Sequence, residues 1–454
     1  MYKFVRSRTG VQQGDPLGPL LFALAIDEAV RSILSPFNLW YLDDATIGGS
    51  VESITEDLSR LIPSLRNLGL EVNVDISEIL NLNYHEADFP NVNMLIQGFI
   101  TGAQTTQPSE AIFLGCPLSP SGLKAHLAKK DMEFRNLTSS LLELDSHIAL
   151  FSWKNSIYMP KLLYTLRCLP CYSHPDILTY LEKSLKSCTE AVLNICFDEI
   201  GWTQAKLPVR FGGIGLRSPK DLAPHAHFSS ISRSRQLVSE VLLPFNELSL
   251  ELPTADFLEF WTNSNLQIPS EMSRQRDWDE IWAAHSFSTL QPALDQHRQA
   301  CLLSAAHEHS GSWLDAYPTS STGSLLDNET LRIGVALRLG LDVCAPHPCR
   351  CGGTVDVKGL HPLSCRRSAG RSPRHGAIND VISRALNAAG FPNVFEPAGL
   401  DRGDGKLPDG MTTLPFRNGN CLIWDATCAD TWSPSALMFS LLPARPRPWR
   451  KPAK

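Results

Sequence analysis

The sequence predicts an α+β protein of several domains, and three observations lead to this prediction. The chain has 454 residues, which is more than one ordinary hydrophobic core accommodates. Its composition, 43% hydrophobic and 19% charged, is typical of a globular protein. Short β-rich runs and long amphipathic stretches occupy different parts of the chain, which indicates that strands and helices are segregated.

Several functional classes are excluded at this stage. No apolar run approaches the ~18–20 residues of a membrane span, so no membrane partner is expected. The N-terminal residues are basic but lack the apolar segment of a secretory signal. The twelve cysteines are therefore expected to stay reduced, and a cluster among them favours metal binding over disulfides.

Charge is unevenly distributed. Residues 344–454 contain 15 Lys and Arg against 8 Asp and Glu, whereas the preceding residues contain 26 against 39. A polyanion would therefore be attracted first to the C-terminal part.

The N-terminal elements begin with "GVQQGDPLGPLLFALAIDEAVRSIL", a loop that enters a helix. Asp15 is predicted as the N-cap, Pro16 fits the first turn, and the apolar run extends to about Leu34. Next, "FNLWY" and "ATIGG" flank "LDD", which predicts a β-hairpin with Asp43 and Asp44 at its tip.

The following segments alternate between strand and helix signals. Helical periodicity is present in "VESITEDLSRLIPSLRNLGL", and "EAIFLGCPL" predicts a strand that leads to a turn. Residues 121–240 are predicted to be mostly helical, with a glycine-rich break at 207–219. The weakly patterned segment 250–325 is expected to contain a linker, and "NETLRIGVALRLGL" predicts a short helix after it.

The adjacent acids of the hairpin have two interpretations. Asp is common in surface turns, so "DD" alone is weak evidence for a site. Nucleotidyl transfer, however, requires carboxylates that hold two divalent cations about 3.5–4 Å apart. Because strand side chains alternate between faces, only one of Asp43 and Asp44 is expected to point directly into such a site.

The surroundings favour the metal interpretation. "QQGDPLGPLLFALAI", "WYLDDATIGG" and "FLGCPL" follow in an order that resembles the latter half of a reverse transcriptase palm from non-LTR, LINE-like retrotransposons. The resemblance implies template and nucleotide binding by Gln13, Gly14, Pro16 and Tyr41. It implies Mg²⁺ or Mn²⁺ binding in a YxDD motif formed by Tyr41, Leu42, Asp43 and Asp44. It also implies a primer grip formed by Leu114, Gly115 and Pro117.

The chain departs from this family in two ways. Ile76 occupies the position of a lysine that is a candidate proton donor, and isoleucine cannot act as a general acid. The fingers and the first metal-binding aspartate of the family would precede the Gln-Gly motif, with which the chain begins. We therefore expect an N-terminally truncated polymerase that is inactive alone.

A Cys/His cluster follows in "CRCGGTVDVKGLHPLSC". Cys349, Cys351, His361 and Cys365 lie within 17 residues, which suits tetrahedral Zn²⁺, and Gly352-Gly353 would permit a tight turn. Cys344 or His347 could replace one ligand, and buried thiols with a hydrogen-bonded histidine are the alternative. The nearby basic residues suggest a phosphate-binding knuckle, with a solvated basic face as the alternative; they are Arg350, Lys358, Arg366, Arg367, Arg371 and Arg374.

A second acidic site follows a helix, "RHGAINDVISRALNAAG", that ends at Gly390. Pro408-Asp409 and, sixteen residues later, Asp425 in an apolar strand resemble a PD-(D/E)xK nuclease core, with Glu396 as a third carboxylate. Residues 310–435 also resemble the C-terminal part of retroelements with a restriction-enzyme-like endonuclease. Thr427 stands where this core has its lysine, and Lys406 is the nearest lysine.

These observations predict a protein that acts on an RNA template and a DNA target in target-primed reverse transcription, in the nucleus. The alternative is a non-catalytic nucleic-acid-binding protein derived from a retroelement. The oligomeric state stays open. The predicted domains are a partial palm (1–120), a helical thumb or connector (121–240), a helical linker region (241–343), a zinc knuckle (344–373), an α/β endonuclease (374–440) and a disordered tail (441–454).

Overall fold

The computed structural model describes residues 10, 14–82, 89–242, 261, 266, 269–270, 273–365, 367, 371–400 and 407–426. The chain divides into two units, Met1–His126 and Leu127–Lys454, close to the predicted boundary at 120. Four residues singled out in the sequence lie outside the described residues, as does the predicted tail at 441–454: Gln13, Arg366, Lys406 and Thr427.

The first unit combines short strands with helices. Its helices are α1 (Gly18–Arg31), α2 (Val51–Asn67), α3 (Phe89–Gln97) and the start of α4 (Pro120–Leu141). Its strands are β1 (Phe37–Tyr41), β2 (Asp44–Gly48), β3 (Glu78–Leu80), β4 (Gln104–Thr106), β5 (Ile112–Phe113) and β6 (Cys116–Pro117). Among the described residues, β1–β2 and β5–β6 form antiparallel pairs and β3–β4 a parallel pair.

The β1–β2 hairpin packs on a core formed by α1 and α2. Ile26 of α1 and Leu61 of α2 are buried there, and Trp40 and Ile47 of the hairpin pack against them. Strand side chains alternate between faces, and the register places Trp40 and Ile47 on the same face of the hairpin. The hairpin is thereby attached through one face.

The start of α1 differs from the prediction. The helix begins at Gly18, and Leu17 is its N-cap, without a side-chain cap. The Asp15 carboxylate instead accepts a hydrogen bond from the Leu17 N–H at 2.9 Å, so it stabilises the turn before the helix. The Asp15 N-cap prediction was therefore wrong, because Pro16 lies in this turn and not in the helix.

A buried aspartate ties the loop after α1 to α2. Asp57 is 1% exposed and accepts hydrogen bonds from the N–H groups of Leu34 (2.9 Å) and Ser35 (2.7 Å). Its partners also include the Ser35 hydroxyl at 2.5 Å and Arg60 at 2.7 Å. Burial acts to raise the pKa of Asp57, but the hydrogen bonds from Ser35 and the two N–H groups lower it.

Where it is described, the second unit is helical up to residue 339 and mixed beyond it. Its helices are α4 (largely in this unit), α5 (Ser146–Ser152), α6 (Tyr158–Cys168), α7 (Pro175–Leu193), α8 (Glu199–Lys206), α9 (Pro219–Leu242), α10 (Gln275–Leu290), α11 (Gln296–Ala305), α12 (Ser312–Asp315), α13 (Asn328–Leu339), α14 (His361–Ser364) and α15 (Arg371–Ala388). Its strands are β7 (His347–Pro348), β8 (Thr354–Val355), β9 (Asn393–Phe395), β10 (Gly410–Thr412) and β11 (Ile423–Trp424). No helix in the described ranges is long and apolar enough to cross a membrane.

The predicted linker is largely folded where it is described. Leu290 of α10, the loop residue Leu294 and Leu302 of α11 are buried together with Leu207. Trp278 is 1% exposed. The weak periodicity of this segment therefore reflects helices that are covered on more than one side, and a linker within 250–325 stays a prediction.

The glycine-rich break at 207–219 is confirmed, and a buried arginine holds it in place. A Cβ on Gly213 would lie 1.9 Å from the carbonyl oxygen of Leu207, so only glycine fits. Arg338 of α13 donates hydrogen bonds to the carbonyl oxygens of Gly213 (2.9 Å), Val209 (2.7 Å) and Ala305 (2.9 Å). Burial lowers the pKa of Arg338 to about 10.

Candidate metal centres

The acidic hairpin forms as predicted, except that Asp44 belongs to the second strand and not to the turn. Tyr41 pairs with Asp44, so Asp44 is the first residue of β2, and the turn consists of Leu42 (φ 58°) and Asp43. Tyr41 and Asp44 lie on the face opposite to the one that Trp40 presents to the core, since side chains alternate. Asp43 and Asp44 are exposed, and the described residues do not gather them into a group of ligands that could hold a metal ion.

The other predicted polymerase positions are also at the surface of the first unit. Gly14 (φ 90°) and Pro16 lie exposed in the turn before α1. Ile76, at the position of the family's lysine, is 73% exposed. The roles of Gly14 and Pro16 in binding template or nucleotide stay predictions.

The predicted primer-grip turn is a tight hairpin. Leu114 (φ 47°) and Gly115 (φ 82°) connect β5 to β6, and Pro117 is buried in β6. Two successive residues with positive φ give the backbone twist that short hairpins favour, which explains the glycine. The strand and turn prediction is confirmed, and the primer contact stays a prediction.

The Cys/His cluster brings together the four residues predicted from the sequence. The ligand atoms of Cys349, Cys351, His361 and Cys365 all lie within 4.8 Å of one another. The Sγ atoms of Cys349 and Cys365 are 3.8 Å apart, and Sγ of Cys351 is 3.0 Å from Nε2 of His361. A tetrahedral zinc with Zn–S bonds of about 2.3 Å requires sulfur atoms about 3.8 Å apart, so the Cys349–Cys365 pair already fits.

The local backbone explains how these ligands converge. The Cys349 N–H donates to the Gly353 carbonyl at 2.7 Å, and the Gly352 N–H donates to the Cys349 carbonyl at 2.9 Å. Gly352 has φ 90°, and a Cβ on Gly353 would lie 3.1 Å from the His361 ring. The Gly353 N–H and His361 lower the pKa of Cys351 to about 6, which favours the thiolate that zinc binds.

The alternative ligands lie outside this cluster. The thiol of Cys344 donates to the Asp356 carbonyl at 3.4 Å. Nδ1 of His347 is 2.9 Å from the Ala345 carbonyl oxygen. The cluster thus contains the four predicted ligands and neither Cys344 nor His347, which the sequence had allowed as a replacement for one of them.

The basic residues around the cluster have different partners. Lys358 forms an ion pair with Asp342 (2.7 Å) and donates to the Gly340 carbonyl at 2.9 Å, so its charge is compensated. Arg350 and Arg367 are exposed. Only part of the predicted basic surface therefore carries uncompensated charge.

The second acidic site lies at one end of a three-stranded antiparallel sheet with the order β11–β10–β9. Gly410, the first residue of β10, is paired with the last residues of β9 and β11. Asp409 immediately precedes β10, and Glu396 and Asp425 immediately follow β9 and β11. All three carboxylates therefore lie at the same end of the sheet. The sequence had suggested that Asp425 lies within its strand, but in the structure Asp425 follows the strand.

These three acids are less tightly gathered than the Cys/His ligands. Asp409 is half-buried, whereas Glu396 (φ 44°) and Asp425 are exposed. Within the described ranges they do not form a group whose ligand atoms lie close enough to hold an ion without rearrangement. Their residue types suit a hard divalent cation.

Sequence reasoning missed a histidine at this site. His375 lies on α15, and its Nε2 is 3.1 Å from Oδ2 of Asp409. The available signal was the Arg374-His375 pair near the start of α15, but nothing in the local pattern indicated which strand the histidine ring would contact.

Comparison with known proteins agrees with a retroelement origin. Over 399 residues the chain is 24% identical to the retrotransposable element SLACS 132 kDa protein of Trypanosoma brucei gambiense. The match covers 86% of this chain, which spans 29% of the length of that protein. No protein-family model matches the chain. The chain is therefore related to a retrotransposon protein, as predicted.

Proposed function

We propose that the chain is part of a non-LTR retrotransposon protein and that residues 344–426 nick target DNA for target-primed reverse transcription. The register of β9, β10 and β11 carries this proposal, because it places Asp409, Asp425 and Glu396 at one end of the sheet. The similarity to a retrotransposable element protein supports the setting. A genomic DNA substrate implies action in the nucleus.

Mg²⁺ or Mn²⁺ bound at this end of the sheet would polarise a phosphodiester and lower the pKa of an attacking water. Asp409 and Asp425 would hold the ion, with Glu396 as the third carboxylate. Exposure of the two outer acids leaves room for a nucleic-acid backbone to approach.

Zn²⁺ in the Cys/His cluster would hold the backbone around its ligands in the shape needed to present Arg350, between two ligands, and Arg367, just after the last one, to phosphates. Zinc in this role is structural, since four protein ligands fill its coordination sphere. The donor set and the 3.8 Å sulfur separation support this assignment.

The test is nicking of supercoiled plasmid by the full chain with Mg²⁺ or Mn²⁺. We expect nicking by the wild type, its loss in Asp409→Asn, and its retention in Asp380→Asn, which changes an exposed carboxylate on α15. Absence of nicking by the wild type, or equal nicking by both variants, would contradict the proposal.

Polymerase activity is expected to be absent from the chain on its own. Asp43 and Asp44 are exposed on a hairpin that has no third strand among the described residues, and Ile76 cannot donate a proton. Primer extension on an RNA template with Mg²⁺ tests this, and any Asp44-dependent product would refute it.

A second candidate function is nucleic-acid binding without cleavage. It is favoured by one observation: the Cys/His ligands are already close together, whereas the three acids are not. Binding that weakens with salt, combined with no cleavage in either metal, would support this function over the first.

A further inference from the structure

A chain of hydrogen bonds connects the sheet to His375. The indole N–H of Trp424 lies 3.0 Å from Oδ1 of Asn379, a residue that is 8% exposed. An indole nitrogen only donates, so this contact orients the Asn379 amide with its oxygen towards Trp424. The amide nitrogen is then the atom that faces Nδ1 of His375, at 3.4 Å.

This orientation determines the tautomer of His375. Because the Asn379 amide nitrogen is a donor, Nδ1 of His375 is the acceptor and the ring proton is on Nε2. Nε2 in turn lies 3.1 Å from Oδ2 of Asp409 and 3.1 Å from the carbonyl oxygen of Ala426, which are both acceptors. The contacts on both sides of the ring thus agree on a proton at Nε2.

The Asp409 carboxylate is held asymmetrically as a result. Oδ2 accepts a hydrogen bond from the Ala426 N–H at 2.5 Å, and Nε2 of His375 lies 3.1 Å from the same oxygen. In the part of the chain that the structure describes, no such donor contacts Oδ1. One carboxylate oxygen is therefore fully used by the protein, and the other is left for a ligand.

We propose that His375 is a positioning residue that fixes the Asp409 carboxylate so that Oδ1 is available to a divalent cation. This inference rests on the proposed nuclease function of Asp409, and it adds a residue on α15 to a site otherwise built from the sheet. Mutation of a residue that hydrogen-bonds to a metal ligand typically lowers metal affinity or activity by about 10–100-fold.

The experiment compares full-length His375→Ala, His375→Gln and His297→Ala. Glutamine keeps a donor near the position of Nε2, and His297 is an exposed histidine on α11 that serves as the matched control. Mn²⁺ binding is measured by the EPR signal of the free ion, with Asp409→Asn identifying the binding that belongs to this site. Nicking rates and thermal unfolding are measured in parallel.

We expect His375→Ala to weaken the Asp409-dependent Mn²⁺ binding by about 10–100-fold and to slow nicking, with most of both restored in His375→Gln and no change in His297→Ala. Imidazole ¹⁵N shifts of the wild type should show a protonated Nε2 and an unprotonated Nδ1, whether or not the site cleaves DNA.

Three results would overturn the proposal. The first is wild-type Mn²⁺ affinity in His375→Ala while Asp409→Asn has lost binding. The second is equal loss in the alanine and glutamine variants together with equally lowered melting temperatures, which would indicate a purely structural role. The third is an unprotonated Nε2, because such a ring cannot donate towards Asp409 or the Ala426 carbonyl oxygen. By contrast, Mn²⁺ binding and nicking that do not depend on Asp409 would refute the proposed function itself.

Discussion

Removal of zinc from the Cys/His cluster should unfold residues 344–365 without melting the helices that precede them. Among the side chains of this segment whose burial is described, Val355 is the one fully buried aliphatic residue, at 2% exposed. Burying one valine contributes about 1.5–3 kcal/mol, whereas ordering each backbone residue costs about 1–2 kcal/mol. Apolar burial alone therefore does not order this segment, and we expect metal ligation to supply the difference.

The ligand geometry gives the expected size of the effect. Changing Cys349 to serine removes one of the two sulfur atoms that already stand at the tetrahedral separation. Mutation of a residue that only hydrogen-bonds to a metal ligand costs about 10–100-fold in metal affinity. Loss of a ligand itself should therefore cost at least about 100-fold, or about 2.7 kcal/mol. Cys196→Ser, which changes an exposed cysteine outside the cluster, should retain full affinity.

Three measurements test this prediction. Metal analysis should give one zinc per chain, and X-ray absorption should show three sulfur ligands at about 2.3 Å and one nitrogen at about 2.0–2.1 Å. Hydrogen exchange after chelation should show lost protection at the amides of Gly352 and Cys365, which donate hydrogen bonds to the carbonyl oxygens of Cys349 and His361, respectively. Unchanged protection at these amides after complete zinc removal would refute the reasoning, as would zinc binding by Cys349→Ser equal to that of the wild type.

Two further predictions concern buried charges. Arg338→Met should lower the free energy of unfolding by about 3–5 kcal/mol in denaturant titrations, because it leaves buried carbonyl oxygens unpaired. The control Arg235→Met, which changes an exposed arginine, should alter the free energy of unfolding by less than about 0.5 kcal/mol, and equal effects of the two variants would contradict the prediction. The pKa of Asp57 is lowered in the folded state, so its stabilising effect is present above its unfolded value of 3.8 and is lost as pH falls through the lower folded value. Asp57→Asn should flatten the acid limb of the stability curve, and an unchanged limb would show that Ser35 and its neighbours do not hold the charged form.

The features that could be predicted from sequence are those whose parts lie close together in the chain. The β1–β2 hairpin and the end of α15 near Gly390 (φ 83°) follow from local periodicity and turn residues. The four clustered Cys and His residues span 17 residues, so spacing and two glycines indicated them, with Cys344 and His347 left open as a replacement for one. Residue types at short range determine local backbone geometry, and these predictions needed little else.

The residues that the sequence did not reveal depend on distant segments. Arg338 lies 125 residues from Gly213, and His375 lies 51 residues from Ala426. In the sequence, Arg338 and Asp57 each read as a charged residue on an amphipathic helix, where a solvated position is the ordinary expectation. Their burial becomes evident only when the neighbouring segments are in place.

The sequence by itself determined which residue types could bind metal and which short segments would present them. The tertiary structure decided which of those residues share a site. The register of β9, β10 and β11 places three separated acids at one end of a sheet, and the packing of α15 adds His375 to Asp409. The physical reason is that hydrogen-bond partners across a sheet or between a helix and a strand are set by packing over the whole unit, which no local pattern records.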